Sequence, residues 1–451
     1  MLDSSKELRT VTVHLSQIYK SAEEIIAAAK NKQKAEQYVQ SVITRFNKSL
    51  ISFGTVIPSL RNKKKTIADI VDSFIEKAEE EVEAIANNTG LDTIYLFVDS
   101  GGYQALTGKL TKSILDDYID AYHTMASRLT KHFKNRKIRN KTVHVRVFTL
   151  DIPPCTKQHV DDAVDLNTSL KATQDSYFET ERKLYEIKDS IIVVFHIGFT
   201  SIAKTFYNLF EQARRLLEFP NWSTSTMRKY ANAITSAASY VTIAYMFLKS
   251  LGITDVKHFH YLGVSAPKFT LPLFYVSKYA NWSHITYDST SQTLSAANGT
   301  ARLVVDGRKL QFNLKTDLST YGKFLRKKLD SIGLELDIHN NKGRLTREAI
   351  HTTLLTSLEA QIVDEFETDQ IAEALYRCAE YDGTRRVKVS RICLMKALSK
   401  HSSLLQNMNL DYNVLSDIAL LCKYINAKSI EPDEVLSAIK KHLEPLPATT
   451  S

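Results

Sequence analysis

Ile94-Tyr95-Leu96-Phe97-Val98-Asp99-Ser100-Gly101-Gly102-Tyr103-Gln104 is a five-residue apolar run closed by a carboxylate, a serine and two glycines. An apolar run of that length bounded by turn residues is a buried strand. The glycines let the backbone turn sharply and come close to a ligand. Asp99 therefore stands at the carboxyl end of a strand, the edge at which parallel α/β proteins keep their chemistry.

The same pattern recurs outward from this stretch. Apolar, strand-like runs fall at residues 50–53, 143–150, 191–196, 258–264 and 284–287. Amphipathic helices lie between them. One carries Leu115, Tyr118, Tyr122, Met125 and Leu129 at spacings of three and four; another carries Phe206, Leu209, Phe210, Ala213, Leu216 and Leu217. Alternating strand and helix over residues 49–325 predicts a (β/α) barrel or a doubly wound sheet. Residues 219–251 are ambiguous, since 237–248 reads equally as helix. Residues 298–314 predict a β-ribbon turning at Asp306-Gly307. Residues 1–48, rich in Ala, Lys and Glu and free of proline, predict a helical amino-terminal extension. Residues 326–451 predict a helical carboxyl-terminal region and a candidate nucleic-acid-binding unit, with Pro432 opening the last helix. The Gly383 turn there admits either a helix-turn-helix or a packing role.

Composition narrows the class. A chain of 451 residues with 43% hydrophobic content can bury a large core, and its net charge of +9 suits an acidic polymer. Cys155, Cys378, Cys393 and Cys422 never form a close pair, so neither a disulfide framework nor a compact zinc cluster is expected. The start MLDSSKELRT lacks a basic-then-apolar signal, and the most apolar stretch, 191–199, is too short for a membrane span. A soluble, cytoplasmic protein is the expectation.

Three predicted strands end in acids. Asp99 closes the first, Asp151 follows 143–150 and precedes Ile152-Pro153-Pro154, and Asp288 closes 284–287. In a barrel the carboxyl ends of the strands form a ring, so acids distant in sequence can converge on one pocket. A single Asp in such a place is commonly only a helix N-cap. Three of them, one with a Gly-Gly turn and an aromatic neighbour, point to chemistry.

These residues resemble the tRNA-guanine transglycosylase superfamily. Asp99 to Gln104 matches the family's Asp-Ser-Gly-Gly-(Phe/Tyr)-Gln motif without a gap. Phe148-Thr149-Leu150-Asp151, Val193-Val194-Phe195-His196-Ile197-Gly198, Leu262-Gly263-Val264-Ser265, Tyr287-Asp288 and Asn298-Gly299 follow in the family's order across about 200 residues. The resemblance implies a TIM (β/α)8-type barrel and base exchange at a nucleoside. Asp288 would be the nucleophile at the sugar C1′. Asp99 would be the general acid and base, as in a retaining glycosidase with a base in place of water. Ser100, Gly101, Gly102 and Gln104 would line the base site and Tyr103 would stack on the base. Asp151 would accept hydrogen bonds from the guanine edge. His196 falls where the family has a base-reading glutamine, and equally suits a core histidine. Gly263 and Val264 would present backbone groups, although Ser265 replaces a glycine.

The family's tRNA enzymes carry a Cys-x-Cys-x-x-Cys zinc cluster that this sequence lacks, so no metal and no cofactor is expected. With the added helical carboxyl-terminal region, the pattern is more similar to the DNA-guanine transglycosylases of phages and bacteria. That implies DNA as partner, with tRNA as the alternative, and a 7-deazaguanine such as 7-cyano-7-deazaguanine as the incoming base. A phage-encoded enzyme of this kind would work in the host cytoplasm. A catalytically silent nucleic-acid-binding barrel is the contrasting possibility. Flipping a base out of a duplex requires phosphate contacts. Arg302, Arg308 and Lys309 on the ribbon are the favoured candidates, with Arg61-Asn62-Lys63-Lys64-Lys65, the basic run 131–141 and Arg385-Arg386-Val387-Lys388 as others.

Overall fold

The computed structural model describes residues 8–380, apart from 156, 158, 198–213, 227–252, 254, 263–281 and 290–299. It is a mixed α/β protein built on a barrel-like parallel sheet. In chain order the first elements are β1 (Leu8–Val13), α1 (Leu15–Ala28), α2 (Lys32–Ile43), β2 (Lys48–Ser52), α3 (Ile57–Asn62), α4 (Ile67–Asn88) and β3 (Thr93–Asp99). Then come α5 (Gly102–Leu106), α6 (Leu115–Phe133), β4 (Lys137–Ile138), β5 (Lys141–Phe148), α7 (Leu166–Leu184), β6 (Ile191–Ile197), β7 (Asn221–Thr226), β8 (His258–Leu262) and β9 (His284–Ser289). A hairpin of β10 (Thr300–Val305) and β11 (Arg308–Asn313) and the helices α8 (Leu318–Ser331) and α9 (Arg347–Glu380) follow.

Parallel pairings run from β3 through β2, β1, β9, β8, β7 and β6 to β5, and β3 pairs with β5, returning the sheet to itself. Leu50, Phe97, Phe148, Ile192 and Val194, one or two from each of four strands, meet in an apolar cluster of their own, distinct from the larger core between sheet and helices. Successive side chains of a strand alternate between faces. The register sets Leu50 beside Phe97 and Phe148 beside Ile192, so this cluster is the inside of the barrel.

The amino-terminal extension is corrected by β1. Leu8–Val13 is a barrel strand between β2 and β9, with Val13 beside Leu50 and Val11 beside Asp288. Its Thr-Val-Thr-Val run favours extended backbone, yet it is only six residues long beside two amphipathic helices that dominate the composition of 1–48. Those helices are as predicted: Leu15, Ile18, Tyr19, Ala22 and Ile25 bury one face of α1. A second strand that the apolar pattern missed is β7, Asn-Trp-Ser-Thr-Ser-Thr. Its Asn221 and Ser223 are buried, and the Asn221 amide donates to the carbonyls of Asp189 and Ile191 at 2.8 and 3.1 Å. A buried polar side chain that is hydrogen-bonded, as Asn221 is, can take a place in a barrel strand without being apolar.

At the other end, the predicted boundary at 325/326 cuts through α8. Helix α9 packs on α1, α2, β1 and β10, so the described part of the carboxyl-terminal region is built onto the barrel. The ribbon forms as predicted, turning at Asp306 and Gly307, both at positive φ. Gly383, Pro432 and the Arg385-Lys388 run lie outside the described residues, as does most of the helix expected around Phe206 to Leu217. Among the described residues, no helix is long and apolar enough to cross a membrane.

Candidate active site

Asp99 ends β3, in register with Ser52 at the end of β2. The Ser52 hydroxyl donates to Asp99 Oδ2 at 3.0 Å and the Gly101 N–H to the same oxygen at 3.1 Å. Gly101 holds a left-handed conformation, φ 79°. A Cβ there would strike the Tyr118 hydroxyl and lie 2.8 Å from Gly54 Cα and 2.9 Å from Gly54 N. Gly101→Ala is therefore expected to lower unfolding free energy by at least about 2 kcal/mol, through backbone strain and the clash together. Denaturant midpoints check this, and a variant as stable as wild type would show that the turn tolerates a side chain.

Tyrosines on the surrounding helices tie down the strands near the site. From α6, Tyr118 donates to the Ser100 carbonyl at 2.6 Å and Tyr122 to the Phe148 carbonyl at 2.5 Å; from α7, Tyr177 donates to the Val194 carbonyl. Burial, followed by the charges of Asp99 and Asp151, pushes the Tyr118 phenol well above its ordinary range, so it remains a donor.

Asp151 lies three residues beyond β5 and is buried, and it accepts a hydrogen bond from the buried Ser100 hydroxyl. A Cβ on Gly102 would approach its Oδ2 to 3.2 Å, so this second glycine keeps the turn against the Asp151 carboxylate. Asp288, on β9, has a side chain 12% exposed, and His260 Nε2 of β8 lies 3.6 Å from its Oδ1. The three acids thus belong to one site. Burial and then the Asp151 charge raise the Asp99 carboxyl to about 7, with a further push from Asp288 and opposition from the Gly101 and Ser52 hydrogen bonds. A carboxyl divided between its two forms at neutral pH can both give and take a proton.

Tyr103, in the first turn of α5, is 68% exposed beside the Gly101-Gly102 turn, an aromatic face with room for a planar ligand. Gln104 instead packs on Gly54: a Cβ there would come within 2.6 Å of its Oε1, and that buried oxygen has no hydrogen-bond partner among the described residues. His196 is on β6 in register with Ser225 of β7. Gly263, Val264 and the Asn298-Gly299 pair lie outside the described residues.

The ribbon cations are engaged. Arg302 Nη1 and Lys309 Nζ reach Asp364 of α9 at 2.8 and 2.6 Å, which ties the hairpin to that helix. Arg308, beside the turn, is exposed. The run 131–141 lies between α6 and β5 at the amino end of the barrel, with Arg136 and His132 on Glu79. Arg61 to Lys65 sit between β2 and α4, hence on the same end as the acids; all are exposed, and among the described residues Lys63 and Lys64 have no ion-pair partner. Among the described residues, no three His, Cys, Asp or Glu side chains are grouped to hold a metal ion.

Sequence reasoning passed over Ser52 and the strand histidines. The signal for the latter was the alternation His258-x-His260 beside Thr286-x-Asp288, which, with His260 opposite Thr286, puts these four polar side chains on one face of adjacent strands. No protein-family model matches this chain, and no curated protein matches it.

Proposed function

We propose that this chain is a guanine transglycosylase of nucleic acid on a (β/α)8 barrel, exchanging guanine in DNA for a 7-deazaguanine. The observation that carries the reading is Asp99, a half-buried strand-end carboxyl raised to about 7 within the fields of Asp151 and Asp288. In the first step an Asp288 oxygen bonds to C1′ as the C1′–N9 bond breaks, and protonated Asp99 gives its proton to the departing guanine. In the second, Asp99 takes the proton of the incoming base, whose nitrogen bonds to C1′ as the ester C–O bond breaks and Asp288 is regenerated. Asp151 accepts hydrogen bonds from the guanine edge and Tyr103 stacks on the ring. Lys63 and Lys64 supply phosphate contacts on the acid-bearing end, a role better suited to them than to Arg302 and Lys309, which already hold Asp364.

The first step run backwards returns guanine, so labelled guanine tests the reading without knowledge of the natural incoming base. Incubation of the full chain with guanine-containing duplex DNA and labelled guanine is expected to put label into the polymer. Label in tRNA and not in DNA would make tRNA the substrate, and label in neither would overturn the enzymatic reading in favour of a silent binding barrel.

A further inference from the structure

Beneath Asp288 the barrel holds a buried polar chain that the proposed chemistry does not use. His260 Nδ1 lies 2.7 Å from Thr286 Oγ1, and His258 Nε2 lies 2.6 Å from the same oxygen. All three residues are buried. Among the described residues His260 Nε2, 3.6 Å from Asp288 Oδ1, has no closer hydrogen-bond partner. The rings are confined. His260 sits 4.8 Å from Phe148, edge to face, and 5.5 Å from Phe97; His258 meets Phe97 edge to face at 5.5 Å.

The protons of this chain can be counted. Burial lowers both imidazoles, His260 against the opposing pull of Asp288, and His258 with added repulsion from Arg146, His260, His284 and Lys48. Each neutral ring carries one N–H, and Thr286 carries one O–H. The hydroxyl can give its proton to at most one of the two rings, so at least one must donate to it; if both do, His260 turns a lone pair toward Asp288. If Thr286 donates to His258, His260 uses its proton on Thr286 and turns a lone pair toward the Asp288 carboxylate, which is repulsive. If Thr286 donates to His260 Nδ1, the His260 proton sits on Nε2 and points at Asp288, and His258 donates from its own Nε2. An ionised Asp288 selects the second order, since the hydrogen bond at one ring nitrogen sets the proton at the other.

We propose that His260, Thr286 and His258 are positioning residues, a hydrogen-bond chain of fixed proton order that holds the Asp288 carboxylate through His260 Nε2–H. The role rests on Asp288 being the nucleophile; the proton order does not. Contraction of the 3.6 Å separation by about 0.6 Å gives an ordinary N–H···O bond, a tightening expected on going from a free site to its complex.

Two readouts on the full chain separate the chain from the enzymatic reading. Nitrogen NMR of histidine-labelled protein, with signals assigned through His258→Gln and His260→Gln, should show both rings as neutral Nε2–H tautomers. In Asp288→Ala the His260 signal should become a mixture. Thr286→Val should lower the kcat of labelled-guanine exchange about 10- to 100-fold with KM unchanged, the effect of removing an outer partner that orients a reacting group. Thr286→Ser, which keeps the hydroxyl, should return kcat to within about threefold of wild type. An Nδ1–H tautomer at His260 in wild type overturns the proposal, and so does a Thr286→Val variant with wild-type kcat. The expected tautomers without any exchange would leave the chain standing and remove transglycosylation.

Discussion

Asp288→Ala is expected to reduce guanine exchange by at least about 10⁴-fold and to abolish the covalent adduct between protein and polymer. A carboxylate oxygen that bonds to C1′ has no substitute in the variant, and water in its place would give an abasic site. The adduct is measured with labelled DNA on a denaturing gel. Asp288 lies at the mouth of the barrel with His260 behind it, so loss of its side chain does not open the apolar cluster around Phe97 and Phe148. An Asp288→Ala variant that exchanges guanine would place the nucleophile elsewhere, with Asp151 the next carboxylate to test.

Asp99→Asn should lower exchange by about 10²- to 10⁴-fold while leaving slow adduct formation. With the carboxyl raised to about 7, the wild-type rate of adduct formation should fall as pH rises past that value, because the acid form is needed. Resolution of the adduct should fall as pH drops below it, because the base form is needed. Turnover is therefore expected to peak near pH 7, and the variant to lose both limbs. The same carboxyl predicts a stability change. Between its unfolded value of about 3.9 and its folded value of about 7, the folded state keeps a proton that the unfolded state releases, so stability falls as pH rises through that window. The full penalty, about 4 kcal/mol, is present above it. An uncharged amide avoids the penalty and can still accept from Ser52 and Gly101. Asp99→Asn should therefore melt above wild type at about pH 8, with the gap closing toward about pH 4. A gap independent of pH would mean that Asp99 titrates normally.

The site was legible where one strand end carries its own chemistry. Asp99, Gly101 and Gly102 announce a turn at a strand end, and the fold places that turn against Asp151 and Ser52. Other roles were not legible. Gln104 belongs to the same motif, yet its side chain packs on Gly54. Arg302 and Lys309 read as free cations until α9 brings Asp364 to them from more than fifty residues away. The Arg61 to Lys65 strip looked no more promising than other basic runs, and only its position between β2 and α4 sets it on the end that holds the acids.

By itself the sequence determined the alternation of strand and helix, the ribbon at Asp306-Gly307 and the acids at three strand ends. These are local matters, set by apolar periodicity and by residues that turn the chain. Only the tertiary structure decided that Leu8–Val13 and Asn221–Thr226 belong to the barrel, because short polar strands gain their place from hydrogen bonds to neighbours distant in sequence. It alone decided that the Asp99 carboxyl is pushed up to about 7, because burial and two other carboxylates act on it through space. And it alone set His258, Thr286 and His260 in line behind Asp288, an order that exists only when β8 lies in register beside β9.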